Sequence, residues 1–95
     1  MADLALYIKE GESYRHLNVP QYFVKDLLRD RLSDCEIKRL NRLASATKIP
    51  DKLPQGSVII DFSKKQALCH QAGFLLSDLD LTWKVDDQES IIKAF

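Results

Sequence analysis

The sequence predicts a single α+β domain: a mainly antiparallel sheet, made of an N-terminal strand or hairpin and about three C-terminal strands, with a two-helix hairpin packed on one face. Three observations carry this expectation. Helical periodicity runs up to Thr47 and gives way to strand alternation between Ser57 and Val85. Two helix-start signatures, at Asn18 and Ser33, open the helical half. The stretch from Ile49 to Gly56 holds two prolines and a glycine and re-aims the chain between the two halves.

At the N-terminal end, Leu4, Leu6 and Ile8 alternate with Ala5 and Tyr7, which predicts a strand with one buried face. Glu10-Gly11 and the segment Ser13 to Leu17 suggest a returning strand, giving a hairpin over 4–17. A short strand followed by irregular chain is the alternative. Glutamate suits a positive-φ position poorly, so a loop longer than two residues with Gly11 in the left-handed position is expected.

Asn18 reads as an N-cap because Gln21 lies three residues on and Pro20 sits in the first turn, where a missing N–H costs nothing. The first helix is expected over 20–32, with Phe23, Val24, Leu27, Leu28 and Leu32 as its apolar stripe. Ser33-Asp34-Cys35-Glu36 is a capping-box sequence, and Ile37, Leu40, Leu43 and Ala44 follow at helical spacing, predicting a second helix over 34–47. A loop spans 48–56.

Strands are expected over 57–85. Val58 to Phe62 has high strand propensity, and residues 66–71 can return antiparallel after a turn at Ser63 to Lys65, with a helix over 64–72 as the rival. Leu79, Leu81, Trp83 and Val85 alternate with Asp80, Thr82 and Lys84 as a half-buried strand, and 88–95 forms a terminal helical turn or a tail. The helices covering the sheet would then bury Leu27, Leu28, Leu40, Leu43, Ile59, Leu68, Leu81 and Trp83 together.

Composition bounds the function. With 95 residues the chain makes one domain, 1–95, and 45% hydrophobic with 29% charged residues is globular composition. No apolar run reaches the length of a membrane span and the N-terminus has no basic leader, so a cytoplasmic protein with no membrane association is expected. Cys35 and Cys69 lack CxxC spacing and read as ordinary thiols. Basic and acidic residues balance at 14 each, but unevenly: residues 20–48 carry +3 and residues 74–95 carry −3. Those two segments can complement one another within the fold or between copies of it.

No complete catalytic, metal, nucleotide or cofactor motif is found, and no cofactor is expected. Lys38, Arg39 and Arg42 on the second helix could meet phosphates in the manner of a helix-turn-helix, although Asp26, Asp30, Asp34 and Glu36 lie among them. Asp51, Asp61 and Lys64 resemble the acid–acid–lysine array of metal-dependent nucleases, with one residue too many between Asp61 and Lys64. His16, Cys35, Cys69 and His70 are the soft-metal candidates, but adjacent strand residues point to opposite faces. Cys35 beside a helix start is a candidate reactive thiol.

The expected order of strand, two helices and three strands is similar to that of small ribonuclease toxins of the RelE/ParE kind. This resemblance would imply Arg, Lys, Tyr or His on the later strands, whereas here the last strand carries Asp80, Asp86 and Asp87.

Elimination leaves binding as the best-supported class: a small interaction or regulatory protein of the immunity, inhibitor or adaptor type, acting on a protein partner as a monomer or a homodimer. The expected partner surface is acidic, built from Asp78, Asp80, Asp86, Asp87 and Glu89. Tyr7, Tyr14, Ile91, Ile92 and Phe95 are further interface candidates. A nucleic-acid module using Lys38, Arg39 and Arg42 is the alternative, an RNase-like toxin a remote one, and an enzyme of any other kind has the least support.

Overall fold

Strand alternation in β1 (Leu4–Glu10) puts Leu4, Leu6 and Ile8 on one side, and that side becomes the floor of the core in the computed structural model, which describes residues 3–51, 53–70 and 82–86. β1 turns back into β2 (Ser13–Val19), with Glu10 opposite Ser13 and Leu4 opposite Val19. The loop is two residues long rather than the longer one expected. Gly11 takes the positive φ of 63° and Glu12 does not, so glutamate is spared the left-handed conformation. Asn18 belongs to β2, opposite Ala5, and caps nothing; the helix start is Pro20, with no side-chain cap.

Helix α1 (Gln21–Leu28) ends four residues earlier than its periodicity predicts. Asp30 adopts φ 55°, its N–H bonding to Leu27 O and the Arg31 N–H to Asp26 O, which is a Schellman ending with aspartate in the place glycine usually fills. Helix α2 (Asp34–Leu43) begins as predicted, with Ser33 and Glu36 exchanging both bonds of a capping box. It stops at Leu43. Ala44 is extended, and Ser45–Thr47 forms β3 against Tyr14 to His16 of β2, so strand pairing replaces the last turn of the expected helix.

From β3 the chain must reach the far side of β1. Ile49 and Leu53 pack with Tyr7 and Ile59 on the sheet face opposite the helices, so the connector crosses that second face. Gly56, at φ 88°, turns it into β4 (Val58–Asp61), and the buried Ser57 is satisfied by Pro54 O. β4 pairs parallel to β1, with Tyr7 opposite Ile59. β5 (Gln66–Cys69) returns antiparallel, a strand and not the rival helix, and β6 (Lys84–Asp86) pairs parallel to β5.

The sheet is therefore mixed, six-stranded and open, in the order β3-β2-β1-β4-β5-β6, and not mainly antiparallel. Alternation predicts which face a strand buries but carries no information on strand direction. Strand direction here follows from the connector crossing the sheet. The helices cover Leu6, Ile8, Val58, Ile60, Ala67 and Trp83 with Val24, Leu27, Leu28 and Leu40. Ile59 and Leu68 lie on the other face, because Val58-Ile59-Ile60 is apolar on both sides and only its outer two residues point to the helices. Leu43, expected in the core, is 65% exposed. The expected strand residues Leu79 to Leu81 and the terminal turn at 88–95 lie outside the described residues.

One polar cluster ties three elements together. The Asp30 carboxylate accepts from Lys65 Nζ at 2.5 Å, Thr82 Oγ1 at 2.7 Å and Trp83 Nε1 at 2.7 Å. The Thr82 N–H adds a bond of 3.2 Å to Leu28 O, an orphan carbonyl of the α1 end. The indole of Trp83 meets the Phe62 ring edge-on at 5.5 Å. The end of α1, the β4–β5 turn and the entry to β6 are thereby fixed to one carboxylate.

Removing core volume at the central strand should be costly: Ile8→Ala, at a fully buried site, is expected to lose about 2–5 kcal/mol by denaturant unfolding, and a loss under about 1 kcal/mol would contradict this packing. Asp30 is held at about 2, chiefly by the Lys65 hydrogen bond and then by Thr82 and Trp83. A lowered folded value means that its stabilisation is complete above the ordinary value of 3.8 and disappears as pH falls towards 2. Asparagine tolerates the same left-handed backbone. Asp30→Asn should therefore lower stability at neutral pH and remove part of the acid dependence between pH 4 and pH 2, read by the fluorescence of Trp83, the only tryptophan. Identical acid profiles for the two proteins would show that the cluster does not couple to folding.

Candidate functional site

Where β3 stops, β2 continues. Ser45 is opposite His16, and no strand among the described residues lies beside Leu17, Asn18 and Val19 on that edge. Leu17 and Val19 face the helices, and α1 starts at once after Pro20, so Phe23 stands over the strand end. From the other side α2 brings Leu40 and Leu43, one turn apart. Together these residues line an open groove of about 310 Å³, with Asn18, Glu36 and Arg39 on its rim. Its walls are mainly aliphatic, and Leu43 at 65% exposure and Tyr22 at 61% are the exposed large hydrophobic residues among those described.

The groove's electrostatics are simple. Glu36 already accepts from the Ser33 N–H and hydroxyl at the α2 start, where the helix end favours negative charge. Lys38, Arg39 and Arg42 are exposed on the same helix, and no carboxylate among the described residues lies in ion-pair range of them. Arg15 donates to Asn41 O at 2.9 Å, anchoring the α2 end to β2. The groove lining itself carries one charge of each sign, Glu36 and Arg39, around an apolar floor.

A second, polar cleft of about 190 Å³ lies on the opposite sheet face, lined by Lys9, Ile59, Asp61, Lys64, Gln66, Leu68 and Asp86. Its charges are balanced, and both of its carboxylates are engaged. Asp86 accepts from Gln66 Nε2. Asp61 accepts from the Ser63 hydroxyl and from the Ser63 and Lys64 N–H groups, and the Ser63 hydroxyl is the main reason its carboxyl sits below the ordinary range. Tyr14 on this face is raised, first by burial and then by the Asp61 charge.

Of the residues singled out from sequence, Arg39 lines the groove, Lys38 and Arg42 are exposed on α2 outside its lining, and Asp86 lies across the sheet in the polar cleft. Tyr7 is 7% exposed, its ring tilted by 34° against the His16 ring at 4.9 Å, and Tyr14 is half-buried beside it. Asp78, Asp80, Asp87, Glu89, Ile91, Ile92 and Phe95 lie outside the described residues. Sequence reasoning missed the groove because it assigned Phe23 and Leu43 to the core stripe. The available signal was Ser45 and Thr47: a residue that competes for backbone hydrogen bonds and a β-branched one soon after Leu43 disfavour continuing the helix, which leaves Leu43 at a margin.

Among the described residues no group of three or more His, Cys, Asp or Glu side chains is placed to hold a metal ion. No described helix is long and apolar enough to cross a membrane. The two thiols differ sharply. Cys35 is exposed on α2, whereas burial in β5 pushes the Cys69 thiol up to about 12. A thiol reagent at pH 8 should modify Cys35 quickly and Cys69 only after denaturation; rapid modification of both in the native protein would contradict the placement of β5. Comparison with protein-family models, with curated proteins and with solved structures gave no match for this chain.

Proposed function

We propose that this chain is a small protein-interaction module whose contact surface is the groove between the β2 edge and the two helices. The observation that carries the reading is Leu43, exposed at the mouth of an aliphatic groove. A large side chain left in water next to other apolar walls gains free energy when a partner covers it, at about 25 cal/mol per Å² of apolar surface buried. The groove's neighbours supply rigidity, since Arg15, the Ser33 capping box and the β2–β3 pairing hold α2 in place before any partner arrives. Regulatory, inhibitory and adaptor roles all reduce to such a surface, and a second copy of this chain is one of the partners it could take. The exposed cations of α2 support nucleic-acid binding as a second reading.

Tagged wild-type protein and a Leu43→Asp variant should be compared by co-purification from native cells, each with nuclease treatment. Leu43 is exposed, so the variant's stability should change by no more than about 0.5 kcal/mol. A stoichiometric protein recovered by the wild type and lost from the variant is expected. Equal recovery by both would remove the groove from the account, and recovery abolished by nuclease would transfer the role to Lys38, Arg39 and Arg42.

A further inference from the structure

The polar cleft on the sheet face opposite the helices holds charges of both signs that do not pair with one another. Strand register puts them there. Lys9 of β1, Asp61 of β4 and Gln66 of β5 stand opposite one another in one row, and Ile59, Leu68 and Asp86 of β4, β5 and β6 form the next. Lys64 joins them from the β4–β5 turn, so two ammonium groups and two carboxylates line one space of about 190 Å³, with Ile59 and Leu68 as its apolar part. Neither lysine lies in ion-pair range of a carboxylate among the described residues; neutral donors hold the acids instead. Each acid also keeps one oxygen back. Asp61 takes its bonds from the Ser63 hydroxyl and the Ser63 and Lys64 N–H groups on Oδ1, and Asp86 takes that of Gln66 on Oδ2. Among the described residues, Asp61 Oδ2 and Asp86 Oδ1 accept no hydrogen bond, and the Nζ groups of Lys9 and Lys64 donate none.

Two fixed carboxylates and two unpaired ammonium groups sum to zero. An anion or a cation alone therefore meets repulsion as well as attraction, while a molecule that carries both charges meets attraction at each end. The volume restricts its size, since pockets for drug-sized ligands begin at about 300 Å³. The unengaged carboxylate oxygens call for N–H donors, which a primary ammonium has and a quaternary one lacks. We propose that this cleft binds a free α-amino acid, its carboxylate on Lys9 and Lys64, its ammonium on Asp61 and Asp86, and an aliphatic side chain over Ile59 and Leu68. The site lies across the sheet from the groove, so this inference goes beyond the interaction reading and stands independently of it.

The test titrates the labelled full chain with each common amino acid and follows the backbone amide signals of residues 59–68 by NMR. Saturable shifts are expected with leucine or valine, and none with N-acetyl-leucine or leucine methyl ester, each of which lacks one of the two charges. Lys9→Gln and Asp86→Asn should each weaken binding about tenfold. Lys64→Gln, at an exposed turn position, repeats the test without altering a strand, and Lys48→Gln, exposed outside the cleft, should bind as wild type does. No saturable shift with any amino acid at millimolar concentration would overturn the site. Equal binding of N-acetyl-leucine would make it a plain anion site and equal binding of the methyl ester a plain cation site, and either result overturns the proposal. Binding that ignores Lys9→Gln, Lys64→Gln and Asp86→Asn alike would place the ligand elsewhere and overturn it too.

Discussion

The parallel pairing of β1 with β4 is the constraint on which the rest of the structure depends. Leu6, Ile8, Val58 and Ile60 are fully buried along this seam, with Tyr7 and Ile59 buried on its other side. Adjacent parallel strands cannot be joined by a tight turn, so everything between Glu10 and Val58 is the crossover that this pairing demands. That crossover holds the hairpin return, both helices, the edge strand and the proline-bearing connector. One face of the sheet is covered by helices and the other by the connector, because the chain passes over both on its way round β1.

The groove is a consequence of the same path. A crossover of this length leaves the sheet at Val19 and rejoins its margin at Ser45, and β3 is only three residues long. Among the described residues the end of β2 therefore has no strand beside it on that edge, while α1 and α2 rise beside it. Aliphatic residues that would be core in a longer sheet become walls open to solvent. The Asp30 cluster acts at the opposite end, closing the helical layer against the β4–β5 turn and the start of β6. Rigid elements thus flank a strand edge that no other described strand pairs with, and this is the surface on which the proposed binding role rests.

How much of this could be read from residues varied with the kind of signal. The hairpin, the capping box at Ser33 and the β4–β5 return were legible, since alternation, an S-x-x-E signature and a turn between strand-like runs are local properties. The ends of both helices were not. Asp30 terminates α1 in a conformation that glycine usually marks, and its side chain is recruited by Lys65, Thr82 and Trp83, which are remote in sequence. Ser45 to Thr47 leave the helix because β2 offers them a partner, which is again a remote effect. Strand direction had no local signature at all, and the parity of Val58-Ile59-Ile60 was ambiguous because both sheet faces are apolar. The basic character of α2 was visible in sequence; the groove beside it depends on where α2 stops.

Solution NMR of the labelled full chain tests this seam most directly, through proton contacts between Leu6–Lys9 and Val58–Asp61. The parallel register predicts contacts that join Tyr7 with Ile59 and Ile8 with Ile60, advancing together along both strands. Contacts that advance along one strand while retreating along the other, or that pair β4 with a strand other than β1 and β5, would contradict the crossover and with it the origin of the groove.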